Sequence, residues 1–408
     1  MKILLKLAWR NVLRNKRRTF LSGTAVGITL ASLMLIDGLY IGMIKGMIST
    51  ATDTFLGQGQ IHAKGFSDTL EVEKTINGSE DILASLDKEA LLKAYAPRTA
   101  SFAMLSSPAG VTSVLLYGIE PGKEKDVSMI DEAIRDGEFL QPEGERQILI
   151  GSKASETLEA GLGDRLVLTV AQAGTGELSQ EMFRISGIYH MGIREADSGM
   201  AFIHISKARQ LLALGSEAHE IVLKFKDLDN AGNRTLSFWS KYSGNNNEAL
   251  GWRDLIPQLD GIIEMTKIST IITSTLVFCI VAVIIMNALF MSLYERMFEF
   301  GVLRAVGTRP MSMALIIFFE AASLSAISII MGLLMGFGVV TFFSWYGIDY
   351  RGIEFAGVTV NELLYPELAL KQFTFYPLLI FIFSIVAAIY PAVFAAKMTP
   401  AKAMQRSM

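Results

Sequence analysis

Cysteine is almost absent from this sequence, because Cys279 is the only one among 408 residues. A single thiol excludes an internal disulfide framework and a cysteine-based zinc site. The sequence also lacks the phosphate-binding GxxxxGK pattern, the HExxH zinc pattern and the GxSxG nucleophile pattern, and its four histidines are dispersed. We therefore expect no catalytic residue, no metal site and no nucleotide-hydrolysing activity in this chain.

Charged residues are also scarce, at 19% of the chain, and the net charge is −3. The absence of a basic excess argues against nucleic acid as a partner. Apolar residues make up 51% of the chain and concentrate in four long stretches near its two ends. Because about 20 apolar residues cross a bilayer core, we predict transmembrane helices over 19–45, 268–294, 311–347 and 372–396.

The charges that flank these stretches predict the orientation of the chain. Residues 1–18 and the tail 397–408 carry basic residues and no acid, so both termini should be cytoplasmic. Residues 1–18 also have the pattern of an amphipathic helix that contacts membrane lipids. The segment 46–267 has 21 basic and 32 acidic residues and should lie outside, as should the loop 348–371. The first stretch is interpreted as an uncleaved anchor.

The large outer segment alternates between strand-like and helix-like patterns, which predicts an α/β or α+β domain inserted between the first and second helices, with a stalk leading into the membrane. Helices are predicted at 80–95, 152–160, 206–214 and 230–242. Strands are predicted at 60–64, 99–105, 112–117, 147–149, 165–170, 182–189, 201–203 and 220–226.

The link 295–310 between the second and third predicted spans has the sequence of a short amphipathic helix that ends near Gly307 and Pro310. Such a helix cannot bury its apolar side by itself, so it either docks on another protein or lies at the membrane surface. Two acids, Asp37 and Glu320, interrupt apolar stretches. Each is interpreted either as a cavity-lining or coupling group or as an acid near the membrane interface.

Three segments resemble a known family. ERMFEFGVLRAVGTRPMSM, residues 295–313, resembles the coupling segment of FtsX-like and MacB-type ABC transporter permeases. LAWRNVLRNKRRTFLSGTAVGI, residues 7–28, resembles the start of that family. ISGIYHMGIREADSGMAFIHISKARQLL, residues 185–212, is similar to the lipoprotein-releasing (LolC/LolE-type) permeases in particular.

The resemblance implies an inner-membrane permease subunit of the mechanotransmission type, with a MacB-like periplasmic domain. It implies a second permease subunit, identical or different, and a separate cytoplasmic ABC ATPase dimer that holds ATP and magnesium. The ATPase would receive the coupling segment through Glu295, Arg296, Glu299, Phe300, Gly301, Arg304 and Gly307. The cargo would be a lipoprotein, handed to a periplasmic carrier or adaptor.

A cavity for acyl chains should be apolar and adaptable, and methionine suits variable chains. Residues of the first two spans that fit are Asp37, Tyr40, Met43, Ile44, Met47, Met265, Ile268 and Ile272; ordinary helix packing is the alternative for each. The hairpin 170–184 is shorter than the carrier-binding hairpin of one lipoprotein-releasing permease and has no proline. Two alternatives stay open: a non-transporting permease that relays ATPase motion to a periplasmic enzyme, and an exporter that works with a periplasmic adaptor.

Overall fold

The structure is a computed structural model that describes residues 2–142, 144–349, 354–355, 358–359 and 363–399. It divides into two compact units. One unit comprises residues 1–46 and 262–408 and is called the membrane unit below. The other comprises residues 47–261 and is called the outer unit. Most of the predicted tail 397–408 and part of the predicted loop 348–371 lie outside the described residues.

Helices and strands alternate in the outer unit, whereas long helices dominate the membrane unit. The helices are α1 Lys2–Arg14, α2 Lys16–Ala51, which a π-helical turn Thr52–Leu56 extends, α3 Phe66–Thr69, α4 Ser79–Leu86, α5 Pro121–Val127, α6 Ser152–Leu158, α7 Arg194–Gly199, α8 Ile205–Leu212, α9 Leu228–Ala231, α10 Ser237–Tyr242, α11 Trp252–Leu255, α12 Pro257–Glu295, α13 Met297–Ala305, α14 Pro310–Tyr346, α15 Leu370–Ala387 and α16 Ile389–Ala396. The strands are β1 Gly59–Ala63, β2 Leu92–Ser106, β3 Val111–Ile119, β4 Ile134–Gly137, β5 Gln147–Gly151, β6 Arg165–Ala171, β7 Leu178–Tyr189, β8 Met200–His204, β9 Glu220–Phe225, β10 Asn247–Gly251, and the short β11 Ile348–Asp349, β12 Glu354–Phe355, β13 Val358–Thr359 and β14 Leu363–Leu364.

Four helical segments among the described residues are long and apolar enough to cross a membrane. They are Lys16–Leu56, Pro257–Glu295, Pro310–Tyr346 and Leu370–Ala396. Three of them contain a predicted transmembrane stretch in full, and the remaining one, Pro310–Tyr346, covers all of the predicted stretch 311–347 except Gly347. They are called spans one to four below.

Spans one and three pack closely through glycine. A Cβ atom added at Gly332 would lie 3.0 Å from the carbonyl oxygen of Gly27 and 2.9 Å from the Leu30 side chain. Glycine at both positions therefore lets the two backbones approach, as small residues do between membrane helices. Buried side chains from all four spans, among them Leu30, Ile285 and Ile380, complete the core of this unit.

The outer unit is built on one mixed sheet of ten strands. Six of them close a ring in the order β2, β3, β8, β5, β7, β6 and back to β2. The ring is filled by apolar side chains such as Leu105, Leu168 and Phe183. The N-terminal half of the long strand β2 leaves the ring and pairs with β9, which continues the sheet through β1 to β10. The mixture of helices with this sheet agrees with the predicted α/β class.

A buried arginine holds the junction between the ring and the rest of the sheet. Arg98 of β2 is fully buried and bonds Glu124 of α5 through two nitrogens, at 2.5 and 3.0 Å. Its third nitrogen lies 3.3 Å from Glu220 of β9, and its guanidinium lies 3.9 Å from the ring centre of Phe55. Although burial lowers the pKa of Arg98, the charges of both glutamates raise it overall. Burial raises the pKa of Glu220.

Each of the eight predicted strand ranges overlaps an observed strand, and β4, β10 and the short β11 to β14 are additional. The predicted helix 80–95 is wrong in its second half, because α4 ends at Leu86 and β2 begins at Leu92. Leu92, Ala94 and Tyr95 pair with β9 instead. This sheet pairing satisfies backbone groups that the local pattern assigns to a helix.

Candidate functional site

The link between spans two and three contains a short helix, α13, that is bounded by non-helical residues at both ends. Arg296 precedes it with φ −112° and ψ 17°, which ends α12. Gly307 follows it with φ +96°, a left-handed conformation that favours glycine. The Gly307 and Thr308 amides donate to the carbonyl oxygens of Arg304 and Leu303. Pro310 then starts α14 at its first turn.

The two faces of α13 differ sharply in exposure. Phe300 is 1% exposed and packs into the core of the membrane unit, and Gly301 beside it is also buried. On the other side, apolar side chains are uncovered: Phe298 at 53%, Val302 at 40%, Leu303 at 39% and Val306 at 82%. The helix and Val306, which directly follows it, therefore present an apolar surface, called the docking face below, which consists of Phe298, Val302, Leu303 and Val306.

Six side chains of alternating charge connect α13 to its surroundings. This charge ladder runs Arg14, Glu299, Arg296, Glu320, Arg18, Glu295. Its successive nitrogen–oxygen distances are 3.0, 2.9, 3.4, 3.6 and 2.8 Å. Its members come from α1, α2, α12, α13, α14 and the residue between α12 and α13, so one network joins spans one, two and three to α1 and α13.

Glu299 and Glu320 occupy different environments within the ladder. Burial alone would raise the pKa of Glu299, but hydrogen bonds from Arg296 and Arg14 lower it overall, so its carboxylate is the favoured form. Glu320 lies inside span three with its side chain 2% exposed. The Ser292 hydroxyl donates to its Oε1 atom. A carboxylate at this depth is stable only because cationic and hydroxyl partners surround it.

The remaining predicted coupling residues lie at the end of α13. The Arg304 guanidinium donates to the Thr308 carbonyl oxygen at 2.8 Å. The Arg304 side chain therefore lies against the C-terminal end of its own helix. Gly307 forms the adjoining turn. Among the predicted set, the structure therefore brings Glu295, Arg296 and Glu299 together in the ladder, and it buries Phe300 and Gly301 within the chain.

Asp37 lies in a second buried polar cluster, at the other end of span one. Its side chain accepts hydrogen bonds from the Tyr376 hydroxyl at 2.7 Å and from the Gln372 amide at 3.0 Å. The Lys371 ammonium lies 2.8 Å from Oδ1. The three partners all belong to the first turns of α15, so Asp37 ties span one to span four.

The segment that precedes α15 reinforces this connection. The Glu367 amide donates to the Gly38 carbonyl oxygen at 3.0 Å, and the Glu367 carboxylate lies 2.5 Å from the Lys45 ammonium. The outer part of span one is therefore held from Asp37 to Lys45 by residues 367–376.

The apolar residues predicted for a cargo cavity are spread over two helices. On span one, Tyr40, Met43, Ile44 and Met47 are partly exposed. On span two, Met265 is 71% exposed, and Ile268 and Ile272 are each 57% exposed. Within the membrane unit, a bond of 3.5 Å from the Tyr40 hydroxyl to the Ile263 carbonyl oxygen joins the two sets. The side chains of span two thus present an uncovered apolar surface, and Asp37 faces span four.

Sequence reasoning missed the partners of both acids. Arg18 and Ser292 complete the Glu320 site, and Lys371, Gln372 and Tyr376 complete the Asp37 site. A usable signal was present, because polar residues at the edges of apolar stretches are the natural partners for an acid inside another stretch. In the part of the chain that the structure describes, no group of three or more His, Cys, Asp or Glu residues could hold a metal ion.

Two family models match this chain. The FtsX-like permease C-terminal family matches residues 271–400, and the MacB-like periplasmic core domain matches residues 19–233, which is more than half of the chain. The lipoprotein-releasing system transmembrane protein LolC of Neisseria meningitidis is 24% identical over 82% of this chain and 83% of its own length. The corresponding protein LolE of Haemophilus influenzae is 21% identical over 93% of both chains.

Solved structures that resemble this chain cover its outer part. The periplasmic region of MacB from Actinobacillus actinomycetemcomitans aligns with a TM-score of 0.36 and 18% identity, over 50% of this chain and 93% of that one. The extracellular domain of the transporter YknZ aligns with a TM-score of 0.32 and 13% identity, over 47% of this chain and 98% of that one. On the strength of the two family matches, the chain belongs to the FtsX-like ABC transporter permeases that carry a MacB-like periplasmic core domain.

Proposed function

We propose that this chain is the permease subunit of a mechanotransmission-type ABC transporter that extracts lipoproteins from the outer leaflet of the bacterial inner membrane. Its four spans cross the membrane, both termini are cytoplasmic, and the outer unit is periplasmic. A separate cytoplasmic ATPase dimer supplies ATP hydrolysis with its own nucleotide and magnesium. A second permease subunit completes the complex, and a periplasmic carrier or adaptor receives the cargo.

The observation that carries this proposal is the docking face of α13. Four apolar side chains on a short helix are exposed, although the opposite face and the helix ends are firmly held. An uncovered apolar patch of this kind is typical of a protein contact site. Its position beside the basic N-terminal segment favours a cytoplasmic partner.

Lipoprotein as the cargo is supported by the names of the relatives and by the apolar surface of span two. Both LolC and LolE are named as components of lipoprotein-releasing systems. The exposed side chains of Met265, Ile268 and Ile272 suit acyl chains, which bury with about 0.8 kcal/mol per CH₂ group. Extraction of an acylated protein therefore needs an energy source such as ATP hydrolysis.

The test is reconstitution of the full complex in liposomes that contain a purified triacylated lipoprotein. ATP should transfer the lipoprotein to the soluble fraction when a carrier is supplied, and a non-hydrolysable analogue should not. Retention of the lipoprotein, together with co-purification of a cell-wall hydrolase, would instead favour the relay of ATPase motion to an outer enzyme. A complex without any ATPase subunit would contradict the proposal as a whole.

A further inference from the structure

Glu320 is the central member of the charge ladder and its most buried acid. Its side chain is 2% exposed, and the flanking arginines, Arg296 and Arg18, are 11% and 15% exposed. The outer members Arg14 and Glu299 are 60% and 45% exposed. The ion pairs are therefore strongest at the buried Glu320, where water cannot easily replace a broken pair, and weakest at the two exposed ends, Arg14 and Glu295.

The single carboxylate of Glu320 touches three other elements. It accepts from Ser292 near the end of α12, pairs with Arg296 at the start of α13, and pairs with Arg18 at the base of span one. A buried carboxylate that loses its cations is strongly unfavourable. A displacement of Arg296 must therefore either carry Glu320 and Arg18 along or break these pairs.

The backbone does not supply this stiffness around α13. Arg296 interrupts the helical path from span two, and Gly307 lies in a turn toward span three. Among the described residues, no heavy atom lies within 4 Å of where a Cβ at Gly307 would be, so the contacts that hold this turn are local ones, from Gly307 and Thr308 to Arg304 and Leu303. Side-chain contacts, the ladder and buried Phe300, are what fix α13 to the spans.

We propose that Glu320 is a positioning residue that makes α13, the base of span one and span three move as one body when the partner ATPase displaces α13. This inference rests on the proposed function, since it needs an ATPase that acts on the docking face. It adds a specific route for the motion, from Arg296 through one carboxylate into spans one and three. Neutralising Glu320 should then separate ATP hydrolysis from movement of the spans.

The test uses Glu320→Gln, which preserves side-chain size and an oxygen that can accept from Ser292 while removing the charge. Spin labels are placed at Met265 and Trp345, which are exposed on spans two and three, after Cys279→Ser removes the native thiol. The distance between the labels is measured in nanodiscs with the ATPase bound, with and without ATP plus vanadate. The parent complex should show a nucleotide-dependent change, and E320Q should hydrolyse ATP but lose at least half of that change.

A neutral triple variant, Arg18→Gln, Arg296→Gln and Glu320→Gln, separates positioning from simple charge compensation. In E320Q, Arg18 and Arg296 keep their exposed partners Glu295 and Glu299 but remain close together without a carboxylate between them. Removing all three charges abolishes this repulsion, so thermal stability should recover relative to E320Q. Under our proposal the distance change stays lost in the triple variant, and this result decides the question even if E320Q alone does not fold. Recovery of both stability and the distance change would overturn the proposal.

Different results would contradict the proposed function and the positioning role of Glu320. If the parent complex shows no ATPase binding and no distance change, the proposed function is contradicted. If the parent responds to nucleotide and E320Q responds equally, Glu320 has no positioning role, although the permease function stands.

Discussion

Trimming the docking face should weaken binding of the ATPase subunit by a predictable amount. Val302→Ala together with Val306→Ala removes four methyl carbons from side chains that are 40% and 82% exposed in this chain. If the ATPase buries the exposed part of each side chain, about 0.8 kcal/mol per carbon, scaled by these exposed fractions, gives a loss of about 2 kcal/mol. That loss corresponds to a roughly 30-fold increase in Kd.

The assay is the Kd of the purified ATPase subunit for the permease in nanodiscs, measured by microscale thermophoresis. Leu334→Ala, which trims an exposed leucine within span three, is the matched control and should leave Kd unchanged. Phe300→Leu should lower thermal stability with little effect on Kd, because Phe300 is buried in this chain. A double valine variant that binds within about threefold of the parent, a difference under 0.7 kcal/mol, would refute the docking face.

Three further predictions concern stability. Arg98→Met should destabilise the outer unit by about 3–5 kcal/mol, because the buried Glu124 and Glu220 lose their cation. Replacing both glutamates with glutamine as well should restore most of the lost stability. Urea unfolding followed by tryptophan fluorescence measures the stability of each variant. Burial lowers the pKa of His219 below its usual value of 6.5, so the neutral imidazole stabilises the folded state above that pH. The urea midpoint of the parent should therefore fall as the pH drops below 6.5. The midpoint of His219→Gln should not show this fall. Gly332→Val should lower the Tm of the membrane unit because its Cβ would lie 3.0 Å from the Gly27 carbonyl oxygen, whereas Gly338→Val, with no heavy atom within 4 Å, should not.

The long helices and most strands could be predicted because their signals are local. An uncharged stretch of 18 or more residues has few structures other than a membrane helix, and alternation over five or more residues marks a half-buried strand. The helix predicted over 80–95 is wrong where β2 begins, because a distant partner determines the structure there: β2 pairs with β9, more than 100 residues away in the sequence. Strand β4 was missed for a related reason: its residues are mostly exposed, so burial leaves no alternating pattern in the sequence.

The position of the candidate site could be predicted from the sequence, but the buried and exposed faces of α13 could not. The glycine and proline at the end of the link predicted a helix with a defined end, which α13 confirms. Which of Phe298 and Phe300 is buried depends on how α13 rolls against the spans, and no local pattern fixes that angle. The charge ladder depends on contacts between residues that are far apart in the sequence, up to 285 residues for Arg14 and Glu299. Composition and local patterns do not predict such contacts.

The contacts of span one bear on where a cargo cavity could open. Its base is paired through Arg18 to Glu295 and Glu320, its middle packs on span three through glycine, and its outer part is bonded through Asp37 to span four. Spans one, three and four are thus joined by polar or close backbone contacts, and span two joins them at its base through Glu295 and Ser292. The uncovered side chains of Met265, Ile268 and Ile272 take part in none of these contacts. Because Asp37 already has three donors around it, its contribution to cargo binding would require breaking bonds, whereas Met265, Ile268 and Ile272 are available without any. Under our proposed function, Met265, Ile268 and Ile272 therefore form a surface of span two on which acyl chains can bind without breaking a polar contact of Asp37.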